Sequence, residues 1–475
     1  MATLRNETIP PSYAASLHES TISSETYDSR RASFSDDLPV YGPRRQSSSR
    51  SSPREALTQT KEFPFVIEHG GKEVVNLTLI TERAFSKHVP TVLQGSPLKG
   101  IVHLNLEKPE TIQSVVLSIR GKYLTGASPD QHRTFLELAH TLWTPAQGDP
   151  RQSVVQGDST SINPFMDVSP TTSFIGKLQG RYVWPFSIEL PKEVSITCGT
   201  DKRLRSFALP QTFNERYARG SINYELVLRI SRSRLRTDYR IPARFGYIPL
   251  TRPPALPALR SLSYQEAVPL LGPTIDPEGW FSESPVTAIG SIFNNRLVEI
   301  SCTLCLAKPL SYTRSTLIPL FLRLESDDQQ ALDLLSAPKA IVVKLKRRIQ
   351  YHPNPTKAQG TYALRDSIDY YEPAIWWPSS EGSEESLSRF RYFNGEIHLP
   401  SDVKPTCAMG DFRLEYFVVL APFEVAAFEP SEKRDLLEYP VEIVTCFASG
   451  PRPRRYAPPG YASGTGPRNF LFPED

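Results

Sequence analysis

The chain is short of helical periodicity, of cysteine and of long apolar runs, and each shortage excludes something. Its 475 residues include five cysteines, an odd number scattered at Cys198, Cys302, Cys305, Cys407 and Cys446. That spacing is no disulfide framework and fits a reducing compartment. No uninterrupted apolar run approaches the ~18 residues that cross a bilayer as a helix. The opening MATLRNETIPPSYAAS lacks the apolar core of a secretory signal. The expectation is a cytosolic protein that reaches membranes only as a peripheral visitor. Charge of one sign is also scarce: 54 basic against 51 acidic residues leave +3, which gives no reason to expect nucleic acid as a partner.

Groups for catalysis are as thin on the ground. Eight histidines run from His18 to His398 without an H-E-x-x-H or a pair at metal-ligand spacing. There is no phosphate-cradling glycine loop and no G-x-S-x-G elbow. The adjacent carboxylates Asp327–Asp328 and Glu384–Glu385 sit in loops or acidic runs and read as solvated turns. Cys302 and Cys305 form a C-x-x-C, which raises a redox or zinc reading. They lie, however, inside LVEISCTLCLAK, whose strand character points residues three apart to opposite faces, so packing is the preferred role. No enzyme, cofactor or metal is expected.

What the chain does have is strand alternation. In GRYVWPFSIELP, Trp184, Phe186, Ile188 and Leu190 alternate with Val183, Pro185, Ser187 and Glu189. Pro185 lacks a ladder donor and so predicts an edge strand. In GSINYELVLRISR, Ile222, Tyr224, Leu226, Leu228 and Ile230 face one way, and Asn223, Glu225, Arg229 and Ser231 the other. Val102, Leu104 and Leu106 line one earlier strand, and Val115, Leu117 and Ile119 another; Glu62 to Leu79 reads as a strand or hairpin. Ile318 to Leu324 and Phe412 to Leu420 repeat the alternation downstream. The only helical signal is a turn at Gln329 to Leu335. The predicted fold class is all-β, two immunoglobulin-like antiparallel β-sandwiches with disordered N- and C-terminal tails.

The WPFSIELP strand, LPQTF, and GSINYELVLRISRSRLRTDYRI, followed by Tyr247 and Pro249, resemble in order and spacing the second half of an arrestin-type N-terminal domain. Upstream, LQGSPLKGIVHLNLEKPETIQSVVLSIRGKY is similar to that family's opening strands. Downstream, RSTLIPLFLRLES and FNGEIHLPSDVKPTCAMGDFRLEYFVVL are similar to the C-terminal arrestin domain. The resemblance covers most of Glu62 to Phe447, broken by two insertions. It implies an arrestin fold with an N-terminal domain over 62–250 and a C-terminal domain over 278–448; composition adds a disordered tail over 1–61, a proline-rich connector over 251–277 and a second tail over 449–475. The insertions, Gly126 to about Phe174 and Pro353 to about Leu387, read as exposed loops, with HTLW (His140 to Trp143) a short strand candidate.

Two strings match P-P-x-Y: Pro10, Pro11 and Tyr13 in PPSY, and Pro458, Pro459 and Tyr461 in PPGY. Leu38, Pro39 and Tyr41 in LPVY give the looser L-P-x-Y form. Proline pairs hold the extended polyproline conformation that aromatic grooves such as WW domains grip, and the tyrosine fills an adjoining pocket. The bland alternative is that a chain with 44 prolines throws up such strings. An arrestin body with P-P-x-Y ends resembles the α-arrestins, the arrestin-related trafficking adaptors. The resemblance implies recruitment of a WW-domain HECT-type ubiquitin ligase to plasma-membrane transporters or receptors, with ubiquitin transferred to that cargo before endocytosis. A second reading is a signalling scaffold of the ambient-pH sensing kind.

Ser33 in RRAS and Ser47 in RRQS have two arginines at the basophilic-kinase positions, so they are phosphorylation candidates and could dock 14-3-3 proteins; soluble linker is the plain alternative. Lys344, Lys346 and Arg348 share one face of AIVVKLKRRIQY, either for solubility or as a contact for anionic lipids or cargo. EKRDLL, ending at Leu436 and Leu437, fits a dileucine sorting pattern or a strand approach. No interdomain network of buried charges can be placed from the sequence.

Overall fold

The computed structural model describes residues 60–81, 88–128, 131–151, 174–198, 203–216, 218–234, 236–355, 364–381 and 388–461. The first half is built of strands: β1 (Lys61–His69), β2 (Lys72–Thr81), β3 (Thr91–Leu93), β4 (Leu98–Glu110), β5 (Ile112–Leu124) and β6 (His132–Trp143). Then come β7 (Leu178–Ile188), β8 (Glu193–Cys198), β9 (Arg203–Ala208), β10 (Ser221–Arg232) and β11 (Tyr239–Ile248). Helix α1 (Ala258–Glu266) precedes β12 (Trp280–Ser282), β13 (Val286–Ile292), β14 (Arg296–Ala307), β15 (Ser311–Thr313) and β16 (Leu317–Glu325). Helix α2 (Gln329–Leu335) leads into β17 (Val343–Tyr351), β18 (Arg365–Pro373), β19 (Ile375–Pro378) and β20 (Phe390–His398). The last strands are β21 (Cys407–Met409), β22 (Phe412–Leu420), β23 (Phe428–Pro430) and β24 (Leu437–Val444).

Each half stacks two sheets. In the first, the orders are β1-β2-β4-β7 and β3-β11-β10-β5-β6. In the second they are β19-β20-β16-β14-β13-β23 and β15-β24-β22-β17-β18, with β12 joining β14 and β21 joining β22. The ladders are antiparallel except β3–β11 and β15–β24, where a three-residue strand runs parallel to the last strand of its half. That shared feature relates the two sandwiches although their sequences do not repeat. The all-β expectation holds.

Alternation places the core as read. Ile222, Tyr224, Leu226, Leu228 and Ile230 of β10 are buried, as are Trp184, Phe186 and Ile188 of β7. Pro185 sits in β7, an edge strand, opposite Ile101. The Phe186 ring lies over Gly100, where a Cβ would come within 2.6 Å of it, so only glycine fits there. Cys302 and Cys305 fall in separate apolar clusters, the latter with Trp280 and Phe321. Burial pushes the Cys302 thiol up to about 12 and the Cys305 thiol up to about 11. These are packing cysteines.

Four stretches depart from the sequence reading. The connector over 251–277 is not simply extended, because it holds α1 with Arg260, Ser263 and Tyr264 buried. Its periodicity is inverted: polar and aromatic groups face the protein, while Leu259 and Leu262 face water. In the first insertion the strand extends well beyond HTLW; β6 pairs with β5 from His132 to Trp143. The second insertion forms β18 and β19 rather than a loop throughout, and Trp376 of WWPSS is fully buried over Gly395 of β20. Finally, the stretch from Ser449 to Tyr456, read as disordered tail, is fastened to the body. Helix α2 was anticipated and is capped by Asp328, whose carboxylate accepts from the Ala331 amide.

The two sandwiches meet around Phe412 at the start of β22. Its ring is fully buried, with centroids 5.3 Å from Tyr123 and 5.7 Å from Phe213 of the first half. Around this knob Thr125 Oγ1 donates to Pro353 O at 2.8 Å, and Arg314 to Gln211 at 3.0 Å. Arg347 reaches both Glu215 and Asp369, at 2.8 and 2.7 Å. An interdomain ion pair that the sequence did not disclose, Arg347 with Glu215, is therefore present. Arg347 occupies the inward face of β17, beside Leu345 and Ile349. Burial opposes its charge, but Tyr371, Asp369 and Glu215 outweigh that and hold the guanidinium pKa above its ordinary value.

Candidate functional site

Beyond β24 the chain has few ways to continue as a strand. Pro451 and Pro453 supply no ladder donor, so side chains and isolated backbone groups fasten the segment instead. Thr445 is buried; its Oγ1 donates to Pro249 O at 2.6 Å, and the Cys446 amide donates to Thr251 O at 2.8 Å. Arg252 donates to Phe447 O, and the Arg452 guanidinium lies 3.9 Å from the Phe447 ring centroid.

The segment then follows α1. Arg454 Nε donates to Tyr264 O at 2.8 Å, near the C-terminal end of the helix, where carbonyls lack helical partners and favour a cation. Tyr456 stacks on Tyr264, with centroids 6.3 Å apart and planes 5° off parallel, and its hydroxyl donates to Ser263 O. The Tyr456 amide donates to Glu396 Oε1 at 2.6 Å, and the other oxygen of that buried carboxylate lies 3.1 Å from His398 Nε2. Burial raises the Tyr456 phenol pKa, with Glu396 adding to the rise and Arg454 opposing it.

Two residues further on comes PPGY. The Tyr461 amide donates to Pro458 O at 3.0 Å, closing a turn, and Tyr461 is 45% exposed. The proline–tyrosine signal was legible, but its mooring was not. The anchors are one aromatic stack, donors to single backbone carbonyls and one buried carboxylate, which follow no period. Tyr456→Ala removes the stack and a hydrogen bond, together about 2 kcal/mol. Amide exchange at Arg452, Arg454 and residue 456 is expected to quicken roughly thirtyfold; unaltered exchange would mean that the segment is held elsewhere.

Pro10, Pro11, Tyr13, Leu38, Pro39, Tyr41, Ser33 and Ser47 lie outside the described residues. Lys344, Lys346 and Arg348 share a face of β17, as expected, but two of them are answered by acids on neighbouring strands. Lys346 pairs with Glu438 at 2.7 Å, and Arg348 with Glu415 at 2.8 Å. Burial opposes the Lys346 charge and Glu438 favours it, with a net rise in pKa. Such partnered charges make a weak lipid contact. Leu436 and Leu437 pack against the core at the entrance to β24, the strand approach rather than a presented signal.

Two sandwiches joined through an aromatic knob, with a moored proline–tyrosine peptide, define a two-domain β-sandwich protein. Residues 82–243 match the family model for the arrestin (or S-antigen) N-terminal domain. That match covers about a third of the chain; it supports a place in the arrestin superfamily and, with it, an arrestin-like adaptor or scaffold role. Comparison with curated proteins returns no match. No helix among the described residues is long and apolar enough to cross a membrane.

Proposed function

We propose that the protein is an adaptor that brings a WW-domain HECT-type ubiquitin ligase to plasma-membrane transporters or receptors, so that ubiquitin is attached to them and they are internalised. The observation that carries this reading is the half-exposed Tyr461 in PPGY, two residues beyond the last anchor of an arrestin body. Pro458 and Pro459 hold φ near −65° whether bound or free, so an aromatic groove gains the peptide at low entropic cost. A second P-P-x-Y at Pro10 to Tyr13 raises avidity through effective concentration.

In this scheme residues 62–250 and 278–448 are the two arrestin domains, and the protein joins membranes peripherally. Phosphates on Ser33 and Ser47 would dock 14-3-3 proteins and restrain the adaptor. Full-length protein carrying Tyr13→Ala and Tyr461→Ala is expected to lose at least tenfold of the WW-containing ligase captured from cytosol, and a transporter should accumulate at the surface. Equal ligase capture by the double variant would sink the proposal.

A further inference from the structure

We propose that the outward face of α1, together with the arginines of the C-terminal segment beside it, is a docking surface for an anionic membrane. The argument begins with what the helix buries. Arg260 is almost fully buried, and the cost of burying its charge outweighs the support from Tyr264, Tyr312 and the buried Asp276. Its guanidinium donates to Lys308 O and to Gly279 O, the latter at 2.6 Å, and lies 5.0 Å from the Trp280 ring centroid. Placing an arginine inside while leaving leucines outside runs against the ordinary preference of both.

The leucines are therefore the feature to explain. Leu259 and Leu262, three residues apart, share the exposed face of the helix. After the left-handed cap at Ala267 the chain exposes Val268, Leu271 and Ile275, the last to 60%. Five exposed apolar side chains in seventeen residues exceed the scattered singles of an ordinary surface.

Charge selects the occupant. The segment 450–456 runs along this helix, with Gly450 beside Ser261, Arg454 on Tyr264 and Tyr456 on Ser263. It presents Arg452, Arg454 and Arg455 to solvent, and Arg252 is exposed where the chain approaches the helix. The exposed carboxylates of the same stretch are Glu266 and Glu278. An apolar stripe flanked by more arginines than acids has the form of a helix that lies in a lipid headgroup layer. Each arginine near an anionic surface strengthens partition roughly fivefold. The inference rests on the adaptor reading only for its purpose, since PPGY would then emerge at the membrane that holds the cargo.

The test is flotation of the full-length chain with phosphatidylcholine vesicles, with and without 30 mol% phosphatidylserine, at about 0.15 M salt. The wild type is expected to float with the phosphatidylserine vesicles alone. Leu259→Ser with Leu262→Ser should cut the bound fraction at least tenfold while lowering the thermal midpoint by only a few degrees, because the two residues are 41% and 46% exposed. Arg452→Gln, Arg454→Gln and Arg455→Gln together should remove the preference for the anionic lipid. The leucine variant should still capture the WW ligase, which separates this proposal from the adaptor reading. A wild type that does not float, a leucine variant that floats equally well, or a leucine face that captures only a protein partner each overturns the inference.

Discussion

Replacing Phe412 by alanine is expected to cost about 3–5 kcal/mol, the range for deleting a buried phenyl ring. The ring is wholly excluded from water and is the knob between Tyr123 and Phe213 of the first sandwich, and a Cβ at Gly220 would come within 3.0 Å of it. The hole would be lined by aromatic rings belonging to two different sandwiches, which limits inward collapse. Urea unfolding is the measurement. Because one buried cluster runs through both halves, the wild type should unfold in a single transition, and the variant should separate into two. Phe412→Leu keeps much of the volume and should cost less than half as much. A Phe412→Ala profile that overlays the wild type would show that the halves are held by other contacts.

Trp376→Ala should be nearly as damaging, again about 3–5 kcal/mol. Trp376 belongs to the four-residue strand β19, paired with β20, and its indole covers Gly395 directly opposite in register. The neighbouring Trp377 points the other way and is half-buried, so Trp377→Ala should cost about 1 kcal/mol or less. Thermal midpoints of the two variants provide the check. The contrast is informative because a loop, the reading that the composition of WWPSSEGSEES invites, would make both substitutions almost neutral.

These cases show where sequence pattern carries information and where it stops. Strands with one apolar face, such as β7, β10, β16 and β22, announce themselves because burial on one side imposes a period of two. Strand β18 has no buried residue; it lies at an edge and is held by cross-strand groups such as Asp369 against Arg347, so its sequence has no period to read. Helix α1 escaped because its buried face is Arg260, Ser263 and Tyr264 and its leucines point out. Arg347 escaped because the eye follows Lys344, Lys346 and Arg348 along the outer face. A charged residue standing alone at an inward position, between Leu345 and Ile349, was the available signal. The proline–tyrosine peptide was legible by itself, since its chemistry needs no partner in the chain. Its mooring needed Tyr264, Glu396 and Tyr456 to be brought together from distant positions.

The parallel pairs β3–β11 and β15–β24 have a consequence for biosynthesis. In both sandwiches the last strand made is an interior strand of its sheet, with β11 between β3 and β10 and β24 between β15 and β22. A nascent chain cannot close the first sandwich until Ile248 has cleared the ribosome, nor the second until Val444 has. A stop codon just before Leu437 would therefore leave a gap in the middle of a sheet, not a frayed margin, and quality-control proteases should remove the product.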